Sequence, residues 1–198
     1  MPTIKCADCK YRRFAQLDDK AIYTHLCGKD ELCRDVIGIY PMLSDETTNL
    51  LVLDFDDGDW KSDAAVVRAV CKELEIPCCI ERSRSGDGAH IWFFFEKPVS
   101  VALARKLGSG ILTEAMKKCH TISFDSYDRM FPNQDTMPSG GFENLIALPL
   151  QKQAALKSNS LFIDEEFRPY SDQWAYLSHS EKISEKMLKD LVDDLCIK

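Results

Sequence analysis

The sequence predicts an α+β domain built on a β-α-β-β-α-β unit, with additional strands and a helix at the C-terminal end. The first observation is the order of apolar segments between residues 50 and 130. The second is a glycine-rich turn at residues 83–89 that joins two strand-like segments. The chain has 198 residues, 45% hydrophobic and 29% charged, which is typical of one generous globular domain.

The first half of this unit is a strand followed by a helix. Residues 50–55 are an apolar run that predicts a buried strand. Residues 60–74 repeat apolar side chains at helical spacing, and Ser62 and Asp63 are typical of a helix start. Pro77 lies shortly after this helix and limits its extension.

The second half begins with a hairpin. Residues 78–82 and the aromatic segment 90–96 predict two strands around a tight turn. Residues 100–119 predict a second amphipathic helix, and 122–130 lead from a loop into a fourth strand. This is the split arrangement of ferredoxin-like and RNA-recognition-motif (RRM)-like folds, in which both helices cover one face of an antiparallel sheet. We expect the other face to be open for ligands.

The remaining segments complete the expected organisation. Residues 144–148 and 161–163 predict further strands, 171–177 a short helix, and 180–195 a charged amphipathic helix. We therefore divide the chain into a cysteine-containing segment at 1–36, a main domain at 37–178 and a C-terminal helix at 179–198.

Charge and hydropathy exclude several classes of protein. The net charge of −7 argues against a surface that coats nucleic acid with positive charge, although a local basic groove is compatible with it. No apolar stretch approaches the ~20 residues of a membrane helix, and the first residues lack the apolar core of a signal peptide. We expect a cytoplasmic protein without a membrane partner.

Asp54 and Asp56 close the first apolar run. Residues two apart in a strand face the same side, so their carboxylates would lie together and repel each other. A pair of divalent cations would neutralise them and organise a phosphoryl displacement. The alternative is that these acids only begin a turn or cap a helix.

The hairpin turn offers groups that bind phosphate. Gly86 and Gly88 would let backbone N–H groups approach a phosphate closely. Ser85 and His90 would add a hydroxyl and an imidazole, and Arg84 a positive charge. The alternative is an ordinary glycine-rich hairpin with a half-buried histidine.

A third group of acids lies at residues 124–135. In the split fold the fourth strand lies beside the first, so one of these acids would join Asp54 and Asp56. Strict alternation places Asp128 on the same face as Met130, with Asp125 on the other.

The N-terminal cysteines suggest a second metal. Cys6 and Cys9 are two residues apart, and Cys27 and Cys33 follow, so four thiolates could hold a structural zinc ion, with His25 as an alternative fourth ligand. The alternative is a set of free thiols, which are common in reduced compartments.

Several of these segments together resemble the primase domain of TOTE conflict systems, in the archaeo-eukaryotic primase superfamily. The resemblance spans nearly the whole chain, and Glu143 stands where that family usually has glycine. The segments that carry it are residues 37–41, 53–56, 81–86, 89–92, 127–135 and 144–151.

The resemblance implies a primase-polymerase, a template-directed nucleotidyltransferase that extends a 3′-hydroxyl and releases pyrophosphate. It implies Mg²⁺ or Mn²⁺ bound by Asp54, Asp56 and Asp128, with nucleoside triphosphates and a single-stranded DNA or RNA template as partners, and a helicase in the same system. The residues expected to contact the nucleotide are Arg84, Ser85, Gly86, Gly88, His90 and Arg129.

Two other functions fit parts of the pattern. A catalytically silent RRM-like module would bind single-stranded nucleic acid on its sheet and use the acids only in turns. A metal-dependent nuclease would use the same carboxylates, but it would leave the element from Ser85 to His90 without a role.

Overall fold

The computed structural model describes residues 17–28, 35–56, 58–118, 126–137 and 144–196. The helices are α1 Asp19–Cys27, α2 Trp60–Glu73, α3 Val101–Lys118, α4 Lys152–Ala155, α5 Gln173–Ser178 and α6 Glu185–Cys196. The strands are β1 Gly38–Ile39, β2 Thr47–Asp56, β3 Cys79–Arg82, β4 Gly88–Ser100, β5 Tyr127–Phe131, β6 Ile146–Ala147 and β7 Leu161–Phe162.

The main sheet has five antiparallel strands in the order β5-β2-β4-β3-β7. Along the chain its core runs β2-α2-β3-β4-α3-β5, and β5 lies beside β2 as expected. β1 and β6 form a separate two-stranded sheet. The predicted α+β class is confirmed, and the C-terminal helix is present as α6.

The larger core lies between the sheet and the helices α2, α3 and α6. Alternate residues of β2, namely Leu51, Leu53 and Phe55, are fully buried on this face. Full burial of each such side chain contributes roughly 1.5–3 kcal/mol. β2 is therefore firmly packed in the core, and this packing holds the residues at its C-terminal end in place.

The opposite face of the sheet is mostly covered, contrary to the expectation of an open face. A second, smaller core joins Val52, Trp92 and Phe131 to Ile146 of β6, and residues of α5 pack against it. The aromatic side chain of Trp92 is 1% exposed, so it is core rather than a platform for bases. The polar residues at the end of β2 are left as the accessible part of this face.

Several element boundaries differ from the expected ones. β2 begins at Thr47 instead of residue 50, because Thr47 and Thr48 pair with Ser100 and Val99 of β4. These polar residues carry no apolar signal in the sequence. The short elements α1, β1 and α4 were not predicted, and α6 begins at Glu185 instead of residue 180.

Among the helices that the structure describes, none has both the length and the apolar character needed to cross a membrane.

Candidate metal and nucleotide site

Three carboxylates meet where β2 ends. One oxygen from each of Asp54, Asp56 and Asp128 lies within 4.8 Å of the other two. Asp54 is 7% exposed, whereas Asp56 and Asp128 are exposed to solvent. The three residues predicted as metal ligands from the sequence are thus brought together by the pairing of β2 with β5.

A β-bulge brings Asp128 into this group. Arg129 lies opposite Asp54 and Tyr127 lies opposite Phe55, so Asp128 is an extra residue between two paired positions. Met130 is buried with the helices, while the carboxylate of Asp128 lies with Asp54 on the other face. The expected grouping of Asp128 with Met130 is wrong, because a bulge interrupts strand alternation and redirects one side chain.

The start of β5 is fixed by contacts to β2 and α2. The backbone N–H of Asp56 donates to the carbonyl of Ser126 at 2.7 Å. The Ser126 hydroxyl donates to Asp63 Oδ2 at 2.5 Å, and both side chains are buried. Asp63, expected only as a helix-start residue, therefore also anchors the segment that leads into the bulge.

The donor set fits a hard divalent cation. Asp54 Oδ1 is buried and has no hydrogen-bond partner of good geometry, and its nearest cationic atom is His90 Nε2 at 3.4 Å. Leaving such an oxygen unsatisfied costs about 1–3 kcal/mol. A cation shared by the three carboxylates would remove that cost, and carboxylate oxygens are the ligands that Mg²⁺ and Mn²⁺ prefer.

Arg129 is paired with one of the three acids. Its guanidinium forms an ion pair with the neighbouring Asp128, and its side chain is 45% exposed. It is not one of the residues that line the cavity described below. In this structure Arg129 neutralises one of the three acids, and its contact with a nucleotide stays a prediction.

The turn between β3 and β4 is held by short-range hydrogen bonds. Ser83 N–H donates to the carbonyl of Gly88 at 2.9 Å, and the hydroxyls of Ser83 and Ser85 lie 2.9 Å apart. Asn159 donates from Nδ2 to the carbonyl of Ser85 at 3.1 Å. Asn159 was not predicted to contribute, since it is more than seventy positions away in sequence.

Glycine is required at positions 86 and 88 for two different structural reasons. Gly86 has φ +93°, a conformation that other residues rarely adopt. A Cβ on Gly88 would lie 2.3 Å from the carbonyl oxygen of Phe55 and 2.8 Å from Asp56 Oδ1. Gly88 therefore lets β4 approach the metal-ligand end of β2 closely.

His90 lies between two carboxylates. It is opposite Asp54 in β2 and opposite Glu81 in β3, and its Nδ1 lies 2.9 Å from Glu81 Oε2. Burial lowers the pKa of His90, but the Glu81 charge and the nearby Asp54 outweigh burial and raise that pKa from 6.5 to about 10. We did not predict Glu81 as a site residue, because an isolated acid in a strand carries no pattern.

A cavity of about 280 Å³ joins Asp54 and Asp56 to the turn, and Asp128 lies beside these acids without lining it. Of the predicted residues, Asp54, Asp56, Arg84, Ser85 and His90 line it. Its other wall is apolar and was not predicted, because it comes from β5 and the segment around β6. That wall is formed by Phe131, Leu145, Ile146 and Ala147.

The expected zinc site lies largely outside the described residues, which include neither Cys6, Cys9 nor Cys33. Cys27 is a half-buried free thiol. His25 accepts a hydrogen bond at Nδ1 from Ile37 N–H at 3.1 Å, so Nε2–H donates to the carbonyl of Pro149 at 2.9 Å. Both ring nitrogens are engaged, and in this structure His25 offers no lone pair to a metal.

Residues 1–191 match the family model described as the archaeo-eukaryotic primase domain of TOTE conflict systems. The chain therefore belongs to this primase family. No curated protein matches the chain.

Among solved structures, the polymerase domain of Mycobacterium tuberculosis Ligase D, determined in complex with DNA, is similar with a TM-score of 0.37 and 14% identity. The similarity covers 76% of this chain and 52% of that one, so the chain spans about half the length of the structure it matches.

Proposed function

We propose that this chain is a template-directed nucleotidyltransferase, a primase-polymerase that joins nucleoside triphosphates to a 3′-hydroxyl and releases pyrophosphate. A single-stranded DNA or RNA template and a helicase of the same system are its proposed partners. Membership of the primase family supports the reaction class. The observation that carries the proposal is the cavity that Asp54 and Asp56 line together with Arg84 and Ser85 of the turn and His90 of β4.

The carboxylates of Asp54, Asp56 and Asp128 would hold Mg²⁺ or Mn²⁺. An ion bound there would acidify the attacking hydroxyl and stabilise charge on the phosphate oxygens. The carboxylates themselves orient the reactants in a rigid frame, because β2 is buried on both sides up to Phe55.

The side of the cavity formed by the turn and the start of β4 would bind the triphosphate. Arg84 supplies a positive charge at the rim, Ser85 a hydroxyl, and His90 an N–H donor on the side nearest Asp54. Donors already fixed in place lose little entropy when an anion binds and stabilise charge that develops during transfer. The apolar wall at Phe131 and Leu145 would exclude water from one side of the bound nucleotide.

A polymerase assay tests this proposal. The protein is incubated with a primed single-stranded template, labelled nucleotides and Mn²⁺. We expect extension products that fall by at least about a thousandfold in the double variant Asp54→Asn, Asp56→Asn. Asp87→Asn is the matched control, since Asp87 is an exposed acid of the same hairpin that does not line the cavity.

The same assay separates the three candidate functions. Products longer than the primer support the polymerase, and products shorter than the primer identify a nuclease. Binding of the strand without either product identifies a silent binding module. Extension that persists in the double variant rejects the site assigned above.

A further inference from the structure

Glu81 is a buried acceptor for three donors behind the cavity. Its side chain is 2% exposed, and its Oε2 lies 2.9 Å from both His90 Nδ1 and Trp92 Nε1. Ser160 Oγ donates to the other oxygen at 3.3 Å. Two of the donors come from β4 and the third from the residue before β7, so both oxygens of the carboxylate are held.

This arrangement determines which nitrogen of His90 faces the cavity. An ionised carboxylate only accepts hydrogen bonds, so the contact requires a proton on His90 Nδ1. Nε2 is then the nitrogen directed toward Asp54, at 3.4 Å from Oδ1. The aromatic rings of His90 and Trp92 lie edge to face at 6.1 Å, which further limits rotation of the imidazole.

We propose that Glu81 is a positioning residue: it accepts a hydrogen bond from Nδ1–H of His90 and fixes the imidazole ring so that its Nε2 edge faces the cavity where the triphosphate would bind. The proposal rests on the proposed function for its ligand. Glu81 does not line the cavity, so it acts through His90 and not by contact with the nucleotide.

Burial argues that this carboxylate has a role beyond packing. Taking a carboxylate out of water costs several kcal/mol unless hydrogen bonds replace its hydration. At Glu81 those bonds come from the side chains of His90, Trp92 and Ser160, while the neighbouring buried residue in the same strand, Ile80, is apolar. A carboxylate whose other hydrogen bonds are fixed sets the orientation of the His90 ring, which apolar packing alone would not do.

A double-mutant cycle tests the proposal. The probe is an α,β-methylene deoxynucleoside triphosphate with Mn²⁺, titrated by calorimetry against wild type, Glu81→Gln, His90→Ala and the double variant. Glutamine preserves shape and one acceptor oxygen, so the variant is expected to fold. In the background with His90 present, we expect Glu81→Gln to weaken binding of the analogue about three- to tenfold. In the His90→Ala background, the same substitution should weaken it by less than about twofold.

Equal losses in both backgrounds would show a merely structural role and overturn the proposal. The matched control is Glu165→Gln, which removes an exposed acid that pairs with Lys72 and does not line this cavity. The nucleotide affinity of this variant should equal that of wild type. In steady-state extension assays Glu81→Gln should raise KM for the nucleotide more than it lowers kcat.

Histidine NMR of the nucleotide-free protein provides a test that does not depend on activity. Long-range ¹H–¹⁵N spectra of the wild type should show a hydrogen-bonded proton on His90 Nδ1, and this resonance should move upfield in Glu81→Gln. The absence of a proton on Nδ1 would reject the positioning role even if the protein polymerises nucleotides. A protonated Nδ1 in a protein that binds no nucleotide would instead reject the proposed function.

Discussion

Asp128 and Met130 are two residues apart in β5 but lie on opposite faces of the sheet. Met130 packs into the larger core with Leu53, while Asp128 joins Asp54 and Asp56 at the cavity end. The bulge between Arg129 and Tyr127 accounts for this difference. It places an exposed carboxylate close to Met130 and Phe131, which are buried at the end of the same strand.

Substitution at these two positions should therefore have separate effects. Asp128→Asn removes a charge from the metal site and should weaken Mn²⁺ binding by about tenfold or more, with the free energy of unfolding within about 0.5 kcal/mol of wild type. Met130→Ala should instead cost about 2–5 kcal/mol of stability. Electron paramagnetic resonance of free Mn²⁺ and urea unfolding measure the two quantities. Loss of stability in Asp128→Asn without loss of Mn²⁺ binding would contradict the assignment.

Gly88 should tolerate no side chain. In Gly88→Ala the new Cβ would meet the carbonyl oxygen of Phe55 at 2.3 Å, so β2 and β4 must separate next to Asp56. We expect a loss of about 1–3 kcal/mol in unfolding free energy together with weaker Mn²⁺ binding. The control is Gly108→Ala in α3, where the nearest atom is the end of the Leu51 side chain at 3.2 Å. Equal stability of the two variants would show that the close approach at Gly88 is unimportant.

Arg129 should compete with metal for Asp128. Because its guanidinium is paired with that carboxylate, Arg129→Gln should tighten Mn²⁺ binding to the nucleotide-free protein by about two- to fivefold. The gain should shrink at high salt, since the pair is exposed. The exposed Arg168, paired with Asp164 away from the site, provides the control variant Arg168→Gln. Weaker Mn²⁺ binding in Arg129→Gln would indicate that the arginine supports the metal site.

His90 should make stability depend on pH in the metal-free protein. Its pKa is about 10 in the folded state against an ordinary value of 6.5. A raised folded pKa means that the stabilisation is fully present below pH 6.5 and is lost as the pH rises through 10. In EDTA, the difference in unfolding free energy between wild type and His90→Gln should shrink by more than about 1 kcal/mol from pH 6 to pH 10. The exposed His179 gives the control His179→Gln, and a constant difference would refute the ion pairing of His90.

Asn159 should matter for nucleotide binding as well as for stability. It donates to the carbonyls of Ser85 and Arg84 and so holds the turn against the chain that follows α4. Asn159→Ala should raise KM for the nucleotide about threefold to tenfold, with a loss of roughly 1 kcal/mol in stability. Substitution of the exposed Ser158 by alanine is the neighbouring control. An unchanged KM would show that the turn keeps its shape without Asn159.

Much of the fold followed from periodicity. The apolar run in β2, the helical spacing in α2 and the hairpin around Gly86 are local patterns, so their positions were predicted to within a few residues. The elements that were missed, such as α1 and β1, are short or formed by residues without a repeating apolar pattern. The second core on the opposite face was also missed, because it joins β6 and α5 to the sheet over long distances in sequence.

The candidate site shows the same division. The sequence by itself determined which chemical groups are present: Asp54 and Asp56 on one face of a strand, and a glycine turn carrying Ser85 and His90. Only the tertiary structure decided that Asp128 turns toward these acids, because a bulge depends on how two strands pair. It also decided that Glu81 orients His90, because their contact exists only once β3 and β4 lie side by side.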